Sequence, residues 1–296
     1  MESADPRAAG NAPEPRRRSL QCNSPRGLHR VAYLEWGDPR NTDVLVCVHG
    51  LTRSSRDFDR FAAAMLERYR VVCPDVAGRG DSDWLPDAML YQLPQYVSDM
   101  VTLIARLDVA SVHWVGTSMG GLIGMALAAQ KGTPIAKLAL NDVGPVITRA
   151  ALQRLVEYVG TAPAFRGIEE AEGYLRRVNA GFGAHSDAEW RFLTETVVKR
   201  NPDGTVSMRY DPAIGESLRR TLPPADLELW PLYDAIRCPT LLVRGAQSDL
   251  LTRETAQAMT RRGPKARLVE IAQVGHAPSF LHGEVIDPVR DFLLAP

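Results

Sequence analysis

The stretch Val112-His113-Trp114-Val115-Gly116-Thr117-Ser118-Met119-Gly120-Gly121-Leu122 sets a G-x-S-x-G string between an apolar run that reads as a strand and a run that reads as a helix from Ser118 to Gln130. A serine on such a strand-to-helix turn sits on strained backbone. Only glycine at 116 and 120 lets the neighbouring chain close in without a Cβ clash. The turn lifts the hydroxyl to the strand end, and the first turn of the helix behind it offers free N–H groups and a positive dipole end. Ser118 is therefore the candidate nucleophile, and the Met119 N–H a candidate oxyanion donor.

Working upstream, Val44-Leu45-Val46-Cys47-Val48 is a continuous apolar run of the kind buried on both faces of a parallel sheet. His49-Gly50-Leu51 follows it directly, where a tight turn can aim the Leu51 N–H at the same oxyanion. His49 itself reads as a buried histidine that shapes this turn. Strand patterns recur at Leu28 to Trp36, Arg70 to Cys73 and Ile135 to Asn141. Helical ones cover Phe58 to Arg68 and the face Tyr96, Met100, Leu103, Ile104 and Leu107. This β-α alternation predicts an α/β fold, a doubly wound and mostly parallel sheet that binds ligands at the carboxyl ends of its strands.

The rhythm stops at Val146. Residues 146–224 show helical patterns without apolar strand runs and are expected to form an inserted helical cap, or lid. Strand sequence resumes at Thr240 to Gly245 and Arg267 to Ile271, and an amphipathic helix with Val285, Val289, Phe292 and Leu293 on one side closes the chain. The core domain is thus expected over 26–145 and 225–296. Residues 1–25, rich in Pro, Ala and charge and carrying Arg16, Arg17 and Arg18, read as a disordered tail.

Among six histidines, only His276 follows a late strand within a loop, Gln273-Val274-Gly275-His276-Ala277-Pro278, from which an imidazole can reach Ser118. Two aspartates stand just after strands and could hold that imidazole. Asp249 follows the penultimate strand, gives the chain order Ser, Asp, His and is preferred; Asp142, after Asn141 and beside Gly144-Pro145, is the alternative and reads more simply as a turn residue. Arg53 lies close enough to the His49-Gly50 turn to offer its fork to a substrate carboxylate, with a solvated arginine as the plain reading. Phe182, Tyr174 and Trp190 could touch ligand, though aromatics in a small helical unit more often form its core.

Taken together, His49-Gly50, Pro74-Asp75-Val76-Ala77-Gly78-Arg79-Gly80-Asp81-Ser82, the Ser118 turn, Gly245 to Asp249 and Gly275-His276 resemble the α/β-hydrolase family across residues 28–294. The resemblance implies acyl-group chemistry on an ester, thioester or lactone through an acyl-enzyme, with no metal or organic cofactor. It leaves open carbon-carbon bond hydrolysis or perhydrolysis on the same triad, and a slow-turnover ligand-sensing receptor.

Composition narrows the partners. Lys plus Arg number 35 and Asp plus Glu 35, with no basic stripe in the folded part, which argues against nucleic acid. A small acyl substrate is expected, with the protein a monomer or homodimer. The chain has neither an apolar signal region nor some 18 consecutive apolar residues, so a cytoplasmic protein without membrane contact is expected. The four cysteines, Cys22, Cys47, Cys73 and Cys238, are widely spaced and read as free thiols.

Overall fold

The apolar run Val44–Val48 lies in the middle of an eight-stranded sheet and feeds two cores at once. Val44, Val46 and Val48 enter the core on one face, and Leu45 and Cys47 the core on the other. The side-chain period of two makes this unavoidable once both faces are covered. The computed structural model describes residues 14–161 and 164–296.

The strands, in chain order, are β1 (Arg16–Ser24), β2 (Gly27–Trp36), β3 (Val44–Val48), β4 (Arg70–Pro74), β5 (Val112–Thr117), β6 (Ile135–Asn141), β7 (Val146–Ile147), β8 (Val198–Arg200), β9 (Val206–Met208), β10 (Leu227–Glu228), β11 (Thr240–Gly245) and β12 (Arg267–Ile271). The large sheet runs β1-β2-β4-β3-β5-β6-β11-β12. From β4 to β12 every pairing is parallel, and β1 and β2 are antiparallel additions at one edge. The expected doubly wound α/β fold is the one observed.

The helices are α1 (Asp59–Met65), α2 (Leu93–Leu107), α3 (Met119–Ala128), α4 (Arg149–Tyr158), α5 (Ile168–Val178), α6 (Asp187–Glu195), α7 (Ala213–Thr221), α8 (Trp230–Ala235), α9 (Arg253–Met259) and α10 (Gly283–Leu294). On one face of the sheet α1 and α10 bury Phe61, Met65, Val285, Val289 and Leu293. Helices α2, α3, α8 and α9 cover the other, with Met100, Leu103, Leu107, Ile123, Tyr233 and Met259 inside. Each such side chain contributes about 1.5–3 kcal/mol by leaving water, which is why the 3.6-residue pattern of α2 was legible. Helix α2 opens with Pro94 in its first turn and stops at Asp108, whose φ of 54° is left-handed.

Two expectations are corrected. Helix Phe58 to Arg68 is a 3-10 turn (Ser55–Phe58) followed by the shorter α1. More consequentially, residues 16–24 of the expected tail form β1, paired with β2 from Arg16 opposite Glu35 to Ser24 opposite Gly27. Leu20, Cys22 and Ser24 alternate inward. The buried Glu35 carboxylate meets Arg16 at 3.0 Å and Arg70 at 2.6 Å. Burial alone would raise its pKa, but these arginines hold it below the usual range. Arg16 of the basic run thus finds its counter-charge on the neighbouring strand, while Arg17 pairs with Asp81. The part of the tail at 1–13 lies outside the described residues.

The stretch expected as an insertion, 146–224, extends in the structure to the strand pair that closes it at residue 228. Its two ends pair with each other, Ile147 opposite Leu227 and Val146 opposite Glu228, and between them lie α4 to α7 and a small β8-β9 hairpin not expected from the sequence. Part of it carries a core of its own around Phe165, Leu175, Val197 and Val206. Cys22, Cys47, Cys73 and Cys238 are all free. Among the described residues, no helix is long and apolar enough to cross a membrane.

Candidate active site

The turn after β5 places Ser118 at φ 51° and ψ −115°, a region that a side chain enters only when its surroundings force it. The forcing is visible. A Cβ at Gly116 would lie 2.3 Å from the Gly120 carbonyl, and one at Gly120 2.0 Å from the Val48 carbonyl. Helix α3 therefore starts hard against β3, and Trp114 Nε1 donates to Gly120 O at 3.0 Å to lock it there. The Ser118 N–H is spent on Asn141 O at 2.9 Å, which ties the turn to the end of β6.

From Ser118 an unbroken relay leads inward. Ser118 Oγ is 3.0 Å from His276 Nε2, and His276 Nδ1 is 2.8 Å from Asp142 Oδ2. Asp142 is fully buried, with its backbone left-handed at φ 56°. Gly245 N donates to its Oδ1 at 2.9 Å and Ser248 Oγ to its Oδ2 at 2.6 Å. Asp142 thus accepts from the imidazole and from two further donors, and fixes which ring nitrogen faces the serine.

The sequence preference for Asp249 is corrected by this geometry. Asp249 is half exposed and ion-paired with Arg154 of α4, while its neighbour Ser248 turns inward. Strand β6 lies between β5 and β11, so a residue just past its end falls beside the site, whereas Asp249 sits four residues past β11 on the outside of a turn. Chain order did not discriminate, because Asp142 satisfies Ser, Asp, His equally well.

The Leu51 and Met119 N–H groups donate to no acceptor among the described residues, and both residues border the same cavity as Ser118. They are free to meet an oxygen there. His49 uses both ring nitrogens elsewhere: Nδ1 donates to Gly50 O at 2.7 Å and Nε2 accepts from Val76 N at 3.0 Å. Burial lowers its pKa, so it is a neutral brace for the turn, as expected. Burial also pushes the Cys22 thiol up to about 12, which leaves it unreactive.

Arg53 does not face the cavity. Its guanidinium is buried and forks onto Asp57 at 2.6 and 2.9 Å, beneath the Phe182 ring. The expected carboxylate role is thus unavailable to a group already paired. Trp190 packs with Leu193 and Leu281, and Tyr174 with Phe165, so these aromatics are core.

The cavity over Ser118 measures about 300 Å³ and is walled by both layers. Leu51, Met119, Leu122, Val143 and Leu250 come from the core, and Ile147, Leu152, Leu155, Val156, Ile214, Leu218 and Leu222 from the insertion. Among the described residues, no charged side chain lines it. The insertion also touches the loop of His276: Gly275 N donates to Gly181 O at 2.6 Å, one residue before the histidine.

A parallel sheet with a serine at the β5 turn, a relayed histidine and an acidic partner defines a hydrolase class, and the chain belongs to the alpha/beta hydrolase family, whose sequence profile matches residues 45–289. It is an enzyme of that class. Within the family it is 52% identical over 283 residues to the 3-hydroxybutyrate-oligomer hydrolase of Cupriavidus necator, covering 93% of this chain and 95% of that protein. It is 27% identical to an esterase of Mycobacterium tuberculosis, over 91% of this chain and 86% of that one. The crystal structure of an alpha/beta hydrolase from Novosphingobium aromaticivorans superposes with a TM-score of 0.84 at 34% identity, covering 96% of this chain and 99% of that one.

Proposed function

We propose that this enzyme is a serine esterase for short hydroxyacyl esters and oligomers, with Ser118 as nucleophile, His276 as general base and Asp142 as the residue that orients the imidazole. The observation that carries this reading is the Asp142–His276–Ser118 relay opening onto an apolar cavity of about 300 Å³. That volume is at the small end for ligand pockets, near 300 Å³, and suits one or two short acyl units.

Ser118 Oγ attacks the ester carbonyl while His276 Nε2 takes its proton, and Asp142 stabilises the imidazolium. The carbonyl oxygen becomes an oxyanion between the Leu51 and Met119 N–H groups. One such donor is worth about 3 kcal/mol in the transition state. His276 returns the proton to the departing alcohol, and a water activated by the same imidazole cleaves the acyl-enzyme.

The substrate class draws on the relative from Cupriavidus necator and on the chemistry of the lining. An oligomer of hydroxyacids has one neutral hydroxyl end and one carboxylate end. Among the described residues no charged side chain lines the cavity, so nothing there offers a carboxylate a direct partner. The neutral hydroxyacyl end therefore enters, and the carboxylate end stays toward the entrance.

The test is steady-state hydrolysis of 3-hydroxybutyrate dimer and trimer beside p-nitrophenyl acetate and butyrate, with a fluorophosphonate label mapped by peptide sequencing. Label at Ser118 and loss of turnover in Ser118→Ala are expected. Label at another residue, or a single slow turnover of every ester, overturns the reading.

A further inference from the structure

Arg79 is a fully buried cation that the relay does not use. It is fully inaccessible, and no carboxylate pairs with it among the described residues. Its partners are all neutral. Nε donates to Leu51 O at 2.8 Å, Nη1 to Ala77 O at 2.7 Å and to the Tyr96 hydroxyl at 2.9 Å, and Nη2 reaches Met119 Sδ at 3.5 Å. The Tyr96 and Tyr91 rings lie 5.0 and 5.7 Å from the guanidinium carbon.

Two facts meet here. Burying a cation without a counter-charge is costly, so a folded protein that keeps one has a reason to. And the two residues whose N–H groups are free over Ser118, Leu51 and Met119, are two of the four that the guanidinium contacts.

We propose that Arg79 is a positioning residue of the oxyanion site, holding Leu51 and Met119 in place and setting a fixed positive charge behind the point where the carbonyl oxygen becomes negative. The proposal rests on the esterase reading of Ser118. In a site walled by apolar side chains such a charge is weakly screened, and being held beforehand it needs no reorganisation when the oxyanion appears. The Leu51 carbonyl belongs to the turn that also bears its N–H, so the Nε contact fixes the orientation of that turn. Because the interaction strengthens only as negative charge develops, it acts on kcat and leaves KM nearly alone.

The discriminating experiment compares wild type with Arg79→Gln and Arg79→Lys, each normalised by fluorophosphonate titration of Ser118 to count folded sites. Two quantities are read: kcat and KM for p-nitrophenyl butyrate, and inhibition by butylboronic acid, which adds to the serine as a tetrahedral anion. For Arg79→Gln, kcat is expected to fall about 30- to 100-fold, boronate affinity to fall in parallel, and KM to change less than about threefold. Arg79→Lys keeps the charge but not the fork, and is expected to lose about 5- to 10-fold in kcat. A purely structural role predicts losses that vanish on normalisation, and that result overturns the proposal. Equal losses per site in both variants, without weaker boronate binding, also overturn it. If Arg79→Gln does not fold, Arg79→Lys alone decides: a loss shared by kcat and boronate affinity supports the proposal, and an unchanged kcat or a loss confined to KM refutes it. A wild type that is neither labelled at Ser118 nor inhibited by the boronate sinks the esterase reading first and this inference with it.

Discussion

One carboxylate oxygen, Asp142 Oδ2, accepts from both His276 Nδ1 at 2.8 Å and Ser248 Oγ at 2.6 Å, while Oδ1 takes the Gly245 N–H. The acid is thus held by β11 and the turn after it, though it stands at the end of β6. Its surroundings differ sharply from those of the half-exposed Asp249. Asp142→Asn is expected to lower kcat by about 10³- to 10⁴-fold by presenting the wrong donor to the imidazole. Asp249→Asn removes only an exposed ion pair with Arg154 and should stay within about threefold. Steady-state ester hydrolysis of the two variants checks this, and the reverse ranking refutes it.

Ser248→Ala leaves Asp142 with the Gly245 donor and the imidazole but takes away the hydroxyl that limits its rotation. A hydrogen bond to a charged group contributes about 1.5–3 kcal/mol, so kcat is expected to drop about 10- to 100-fold. Ser248→Thr, which keeps the hydroxyl, should recover most of it. Equal activity in the Ala variant would show that Gly245 N suffices.

Gly120→Ala brings a Cβ to 2.0 Å from the Val48 carbonyl, an atom of the strand backbone. Neither side can yield without moving β3 or α3. Loss of about 3 kcal/mol or more in urea unfolding, or no soluble protein, is expected. Gly132→Ala is the control for steric crowding, since a Cβ there meets nothing within 4 Å, although its φ of 76° carries a smaller strain.

Acid should weaken the fold in a defined window. Burial and Lys137 push the His113 imidazole down to about 4, and burial and His282 do the same to His185. Against an ordinary value of 6.5, the unfolded chain takes up protons that the folded one refuses. Stability is therefore full above pH 6.5 and falls between 6.5 and 4, at up to about 1.4 kcal/mol per pH unit for each group. Urea unfolding at pH 7, 5.5 and 4.5 measures the slope. His185→Gln should flatten it, and an unchanged slope would assign the acid loss elsewhere.

The insertion should control acyl length. Leu155 of α4 lines the cavity, and Leu155→Trp fills it. KM for p-nitrophenyl hexanoate is expected to rise about tenfold while that for the acetate changes little, the scale of a few methylenes in an apolar pocket. Equal effects on both esters would place acyl binding elsewhere.

What the sequence by itself determined was whatever depends on near neighbours along the chain. The strained Ser118 turn needs Gly116 and Gly120 within two residues. The doubly buried strand is written in five consecutive apolar side chains from Val44, and His276 announces itself by its loop. The remaining choices were made through space. Strand β1 escaped notice because only Leu20, Cys22 and Ser24 of its nine residues turn inward, while Arg16 finds its counter-charge on Glu35 of the neighbouring strand. Arg53 looked available until Asp57 proved to hold it. Asp142 and Asp249 carry the same chemistry and the same chain order. Sheet order decided between them, because β6 lies directly beside the strand that bears Ser118, and a hydrogen bond of 2.8 Å depends on position in space and not on sequence.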